Sequence, residues 1–288
     1  MKEYVINVEP LETRIALLED KRLAELIIDR QESKSVVGNI YKGKVDSVVQ
    51  GIQAAFINIG FEKNGFLYVS DISTPDIEGD FVYENGAARV HGGLKRPRQL
   101  SIDKLLRKGQ EIMVQVCKDT LGTKGVRLTN YITLPGRYVV FMPTVKNIGI
   151  SRKIEDEHER ERLKRILQSI RPKDGGLILR TAGEGKQKAD FLADLRYVTR
   201  LWEKIKGKME SVKAPCLIHE DLSPILRLIR DCFTNEVQRL TIDSESEYSR
   251  ILSFLDGFAP SLKKRCRLYR GKKPLFDKMG IEAEIEKA

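Results

Sequence analysis

The chain has 288 residues, a net charge of +10 from 51 Lys and Arg against 41 Asp and Glu, and a hydrophobic fraction of 41%. Its length suits two or three domains of about 100–150 residues each, and the apolar fraction excludes wholesale disorder. No apolar run approaches the ~18 residues of a membrane span, the start Met1-Lys2-Glu3-Tyr4 has no signal-peptide layout, and Cys117, Cys216, Cys232 and Cys266 are too scattered for a disulfide scaffold.

A chain of the reducing cytoplasm is therefore expected, and the positive balance suggests a polyanionic partner. The N-terminus alternates as strands do: Tyr4 to Val8, a break at Pro10, Thr13 to Leu18, a turn at Asp20-Lys21, then Leu23 to Ile28. A meander or a pair of hairpins is predicted. Between Ile40 and Leu134, short strands are separated by glycine-bearing turns, at Ile40–Val49, 54–59, 65–69, Glu111–Lys118 and 125–134. Five short strands in so little chain predict a small barrel. The stretch 73–107 interrupts it. Rich in Gly, Pro and charge and poor in apolar periodicity, it reads as a long mobile loop.

Beyond Gly136 the texture changes. A strand is predicted at 138–142, ending at Pro143, then a charged helix at 155–170 and an apolar strand at 176–180. The longest helix is predicted over 186–213, where Phe191, Leu195, Val198, Trp202, Ile205 and Met209 recur at steps of three and four. Such a stripe is core, so Trp202 receives no recognition role. The last third reads as a βαβ-like run. Its strand at Cys216–His219 is followed by a helix opened by Ser223-Pro224, a strand at 239–242, a helix at 246–254 and a strand at 266–269.

Several chemistries find no match. Gly185-Lys186 is not preceded by the glycine of a P-loop, no cysteine pair has zinc spacing, and His91, His158 and His219 cluster with nothing. Asp243, Glu245 and Glu247 follow a strand, where either a metal site or a solvated turn can lie. Phe56 and Phe66 fall on consecutive barrel strands, where a core role and a role in stacking unpaired bases are both open. Lys42, Lys44, Lys118 and Lys124 are candidates for phosphate contacts. Arg180-Thr181-Ala182-Gly183 follows a strand and precedes the long helix. A forked guanidinium, a hydroxyl and glycine-permitted backbone approach suit a terminal phosphate, although an ordinary strand–helix turn fits the same residues.

The residues then resemble a known family, the bacterial ribonuclease E / ribonuclease G endoribonucleases. The resemblance is carried by Glu12-Thr13-Arg14-Ile15-Ala16, Gly38-Asn39-Ile40-Tyr41-Lys42-Gly43-Lys44-Val45, Ala54-Ala55-Phe56-Ile57-Asn58-Ile59-Gly60 and Asn64-Gly65-Phe66-Leu67. It continues through Gly122-Thr123-Lys124-Gly125, Ile150-Ser151-Arg152-Lys153-Ile154, Leu179-Arg180-Thr181-Ala182-Gly183, Leu268-Tyr269 and Pro274-Leu275-Phe276, so it covers essentially the whole chain.

The resemblance implies an α+β multidomain chain, with an OB-type β-barrel and an α/β 5′-sensor inserted in a ribonuclease-H-like subdomain. The implied bounds are 1–36 and 215–288 for the two parts of the ribonuclease-H-like subdomain, 37–130 for the RNA-binding barrel and 131–214 for the 5′-monophosphate sensor. By family match, Phe56, Phe66, Lys118 and Lys124 would contact single-stranded RNA. Arg180 and Thr181 would bind the 5′-phosphate, Gly136 and Val140 would line the adjoining pocket, and Arg152 matches a basic position there.

The resemblance further implies Mg²⁺-assisted RNA cleavage by aspartates in a following subdomain, expected after Ala288 and not matched by any residue of this sequence. A later cysteine motif joining subunits through zinc, and with it a homo-oligomer, would also lie outside these residues. The expected partner is single-stranded RNA with a 5′-monophosphate end, and the expected behaviour of these 288 residues with Mg²⁺ is binding without cutting. Rival readings are a stand-alone RNA-binding module and a translation-associated OB protein. From Ser261 to Lys273 seven residues are basic and none acidic, which suggests that the positive charge marks an RNA path.

Overall fold

Alternation sets the first strands. In β1 (Lys2–Val8), Tyr4 and Ile6 face one way and Val5 the other, and all three are buried, because this strand is covered on both sides. It pairs antiparallel with β2 (Glu12–Glu19), which pairs antiparallel with the edge strand β3 (Arg22–Arg30). Asp20 and Lys21, between β2 and β3, take φ of 50° and 67°, the left-handed values that a two-residue hairpin needs to match strand twist. The structure, a computed structural model, describes residues 1–30, 35–73, 78–84, 87–95, 101–119 and 125–287, with only the backbone course given for 78–84 and 87–95. The chain forms two compact units, Met1–Lys34 with Leu222–Ala288, and Ser35–Asp221.

The second unit starts with β4 (Ile40–Val49). This ten-residue strand pairs through its second half with β5 (Ala54–Asn58) and through its first half with a strand much later in the chain. β6 (Gly65–Tyr68) pairs with β5. The next segment holds the antiparallel hairpin of β7 (Glu78–Glu84) and β8 (Ala87–Lys95), where a mobile loop is predicted from sequence. The low periodicity concealed a β-prone core, Phe81-Val82-Tyr83. After a helical turn α1 (Ile102–Leu105), β9 (Glu111–Lys118) and β10 (Arg127–Thr129) complete a closed five-stranded barrel in the order β4-β5-β6-β10-β9, with β9 returning to β4. Ala55, Ile57, Leu67, Val114, Val116 and Leu128 fill it.

The strand predicted over 125–134 is two strands in different sheets. The chain turns after Thr129. Asn130 Nδ2 donates to the Met113 carbonyl, and buried Gln115 accepts from the Thr133 amide and hydroxyl while donating to the carbonyls of Gly38 and Thr133. β11 (Leu134–Pro135), β12 (Val139–Met142), β13 (Ile148–Ile150) and β14 (Gly176–Leu179) form a sheet in the order β11-β12-β14-β13, with β13 parallel to β14. Val139, Phe141, Leu177 and Leu179 pack on α2 (Glu157–Ile170) and α3 (Lys188–Ser211). The alternate residues Val140, Met142 and Ile178 pack on the opposite face with Tyr131 and Val145.

β15 (Cys216–His219) pairs antiparallel with β4, so it extends the barrel sheet and takes no part in the parallel run that follows. Burial pushes the His219 imidazole below its ordinary pKa, with Lys208 acting the same way and Asp221 and Glu220 opposing. The folded state therefore favours neutral His219, and its stability is full above about pH 6.5 and falls as pH drops through that value. His219→Gln is expected to flatten this decline in urea midpoints measured between pH 7 and 5. An unchanged slope would contradict it.

The first unit resumes with α4 (Pro224–Cys232), capped by Ser223 with Pro224 in its first turn. β16 (Val237–Ile242) pairs parallel with β1, then come α5 (Glu245–Phe258) and β17 (Cys266–Leu268), parallel to β16. Helices α4 and α5 cover the Tyr4/Ile6 face, and α6 (Leu275–Met279) with α7 (Ile281–Ile285) covers the Val5 face. Among the described residues, no helix is long and apolar enough to cross a membrane.

Candidate nucleic-acid interface

Two clusters in the second unit collect the residues that sequence singles out. On the barrel, Ala55, Ile57, Gly65 and Leu67 point inward, so strand alternation turns Phe56, Phe66 and Tyr68 outward, the phenylalanines half-buried and Tyr68 exposed. Register aligns a row across four strands: Phe56 opposite Phe66, Phe66 opposite Arg127, and Arg127 opposite Lys118. The Phe56 and Phe66 rings meet edge to face at 5.2 Å, and the Phe66 and Tyr68 rings at 4.3 Å. The Arg127 guanidinium lies 5.1 Å from the Tyr68 ring centre and is held by Asp71, whose Oδ2 accepts from Nε at 3.0 Å and Nη2 at 2.8 Å. Lys118 ends the row, exposed.

Tyr68 and Arg127 are missed by sequence reading, because only the strand register shows that they join the phenylalanines. Lys124 lies outside the described residues. Lys42, a candidate phosphate contact, is corrected. Its side chain is only 11% exposed, its Nζ donates to the carbonyls of Met209 and Val212, and it pairs with Glu111 at 2.8 Å. It neutralises the C-terminal end of α3 rather than reaching for solvent. Lys44 is exposed, opposite Glu111 on β9.

The second cluster lies at one end of the four-stranded sheet. Because β12 runs antiparallel to β14 and β13 runs parallel to it, the start of β12 meets the ends of β13 and β14, with Val139 and Ile150 both registered on Leu179. Gly136, Ser151, Arg152, Arg180 and Thr181 therefore converge. Arg180 is half-buried, its Nη1 donating to the carbonyls of Gly136 (2.7 Å) and Arg137 (3.3 Å). Thr181 Oγ1 lies 2.9 Å from Ser151 Oγ, and Arg160 Nη1 donates to the carbonyls of Ser151 and Ile154. Arg152 is exposed beside Ser151, and Lys186 Nζ lies 5.8 Å from the Tyr138 ring centre.

Beneath this surface sits Asp194, buried on α3. Its carboxylate accepts from the amides of Arg137 (2.9 Å), Tyr138 (2.7 Å) and Val139 (2.9 Å). Burial pushes this carboxyl up, against the pull of the three amides and Arg137. The fit dictates glycine at 136, where a Cβ would stand 2.4 Å from an Asp194 oxygen. Glu159, bridged by Arg162 and the Gly185 amide, is held down to about 2 and so stays charged at any working pH. Val140 is fully buried on the opposite face of the sheet, so its side chain adds nothing to the exposed surface.

Half-exposed aromatic rings beside cations suit unpaired bases and their phosphates. A fixed guanidinium with hydroxyls and exposed cations suits a terminal phosphate. In the first unit the basic run is largely self-satisfied. Lys263 pairs with Asp256, Arg265 donates to the carbonyls of Asn235 and Val237, Arg267 to those of Lys264 and Cys266, and Arg270 to Glu245. Among the described residues no three His, Cys, Asp or Glu side chains form a group able to hold a metal ion, which leaves Asp243, Glu245 and Glu247 without a metal-site geometry.

The Ribonuclease E/G family matches residues 133–288. Ribonuclease G of Escherichia coli (strain K12) is 40% identical over 286 residues, covering 99% of this chain and 56% of that protein. Ribonuclease E of Haemophilus influenzae is 37% identical over 291 residues, covering all of this chain and 30% of that protein, and ribonuclease E of Nostoc sp. (strain PCC 7120) is 35% identical over 277 residues, covering 95% and 37%. The chain spans about half the length, or less, of the curated relatives it matches.

Proposed function

This chain belongs to the ribonuclease E/G family, and from that membership we propose that it is the RNA-holding portion of an endoribonuclease acting on single-stranded RNA in RNA processing and decay. In this reading residues 37–130 are an OB-type barrel, 131–214 a 5′-monophosphate sensor, and 1–36 with 215–288 a ribonuclease-H-like subdomain. The barrel row Phe56, Phe66, Arg127 and Lys118 stacks bases and meets phosphates, with Lys124 assigned there by family match alone. Arg180, Thr181 and Arg152 take the 5′-phosphate, and Gly136 lines the site through the carbonyl that holds Arg180. A triphosphate would bring more charge and bulk than this cluster accommodates.

The observation that supports the reading most is the convergence of those residues at one sheet end, with Arg180 fixed by two backbone carbonyls. The family suggests a divalent metal, Mg²⁺ by resemblance. The described residues do not fit one, and RNA hydrolysis in the bacterial cytoplasm is proposed for the longer family enzyme. The chain's own residues bind and orient the strand.

Arg180→Ala tests the sensor. A lost charge-assisted hydrogen-bond pair is worth about 1.5–3 kcal/mol, so the preference for 5′-monophosphate over 5′-hydroxyl RNA should fall roughly ten- to a hundredfold. Affinity for the 5′-hydroxyl RNA should hold within about twofold. Equal losses on both RNAs would instead make Arg180 a general phosphate contact.

A further inference from the structure

Helix α3 runs 24 residues, about 36 Å. Its head follows the 5′-end cluster: Thr181 opens a single helical turn, Thr181–Gly183, and residues 184–186 lead from that turn to the Gln187 cap. Its foot is held at the barrel, where Lys42 on β4 takes the carbonyls of Met209 and Val212. One side, with Phe191, Leu195, Val198 and Ile205, is buried in the core. On the outer surface, Arg196, Arg200, Lys204 and Lys208 follow one another at four-residue steps and are all exposed. That spacing puts them on one winding row about 6 Å apart.

Among the described residues none of the four makes an ion pair or a side-chain hydrogen bond, whereas Arg127 and Arg162 in the same unit are pinned by Asp71 and Glu159. Of the exposed acids of the outer surface, Glu203 lies three residues after Arg200 and Glu210 two after Lys208, and among the described residues neither forms an ion pair with the row. Four like charges in line repel one another, and a fold gains nothing by lining them up. A polyanion with regularly spaced charges relieves that repulsion.

We propose that this row is a backbone-binding track that leads single-stranded RNA along α3 between the 5′-end cluster at its head and the barrel at its foot. This rests on the RNA-binding reading above. An anionic membrane fits less well. The apolar side of α3 is spent in the core, and Leu192, at 37% exposure, is its one large apolar residue counted as exposed, so the helix has no face to insert.

The test uses the 288-residue chain and a variant combining Arg196→Gln, Arg200→Gln, Lys204→Gln and Lys208→Gln, substitutions that keep helix propensity. Binding of 3′-labelled, 5′-monophosphorylated single-stranded RNA is read by fluorescence anisotropy across salt, for oligonucleotides of about 20 and about 4 nucleotides. Each neutralised phosphate of a single strand adds roughly 0.7 to the salt slope, so the slope for the long RNA should fall by about 2–3. The affinity for long RNA at low salt should fall at least tenfold. Binding of the short RNA, and its preference for a 5′-phosphate, should hold within twofold. Arg196→Lys with Arg200→Lys, which keeps the charge, should bind as the parent does.

A four-site variant that binds long RNA with the parent's affinity and slope overturns the track while leaving the functional reading intact. So does one that loses binding to phosphatidylserine vesicles but not to RNA, or one that loses short and long RNA in parallel. A parent chain that binds neither RNA overturns the functional reading and the track together.

Discussion

Asp194→Ala should lower the unfolding free energy by about 3–9 kcal/mol, since three amide donors, two buried and one half-buried, lose their acceptor at about 1–3 kcal/mol each. No neighbouring group replaces the carboxylate easily, because Gly136 lies against it with no side chain of its own. The loss is also functional. The segment from Gly136 to Val139 presents the carbonyls that fix Arg180, and Asp194 is what holds that segment in its turn. The variant should therefore lose 5′-phosphate preference even in preparations that remain folded. Urea unfolding followed by binding to paired 5′-phosphate and 5′-hydroxyl RNAs checks both. A loss under 1 kcal/mol would mean that water or backbone rearrangement satisfies the amides.

Phe56→Ala combined with Phe66→Ala should weaken single-stranded RNA binding by about 2–6 kcal/mol, from roughly 1–3 kcal/mol per stacked base. The lower end is already about 30-fold. Because both rings stand on the outer face of the barrel, half-exposed, with edge-to-face contacts to each other and from Phe66 to Tyr68, stability should fall far less than for a core truncation. The control is Phe→Leu at both positions, which keeps apolar area without a stacking face and should lose most of the same affinity. Affinity that survives in the alanine variant would make the pair a surface cluster with no base partner.

Alternation and periodicity were enough to read β1 to β3, four of the five barrel strands and α3, because in each the local pattern agrees with what the core requires. Long-range side-chain bonds were not legible. Lys42 looks in sequence like any lysine on a strand, yet its carbonyl partners lie 167 and 170 residues away. The strand predicted over 125–134 is cut by Gln115 and by the bond from Asn130 to Met113, neither of which a local window contains. The hairpin of β7 and β8 was hidden because Gly79 and Asp80, with Gly92 and Gly93, interrupt the alternation on which strand reading depends. Of the candidate sites, Phe56, Phe66 and Arg180 were visible as residues. Tyr68 and Arg127 needed the register, and the burial of Val140 needed the second face of the sheet.

In the proposed function, one compact unit, Ser35–Asp221, grips a single strand and reads its 5′ end. The most direct test is competition binding of the intact 288-residue chain with two single-stranded RNAs identical except for a 5′-monophosphate or a 5′-hydroxyl. A preference of roughly tenfold or more for the monophosphate is expected, from charge-assisted hydrogen bonds of about 1.5–3 kcal/mol. Equal affinity for the two would contradict it.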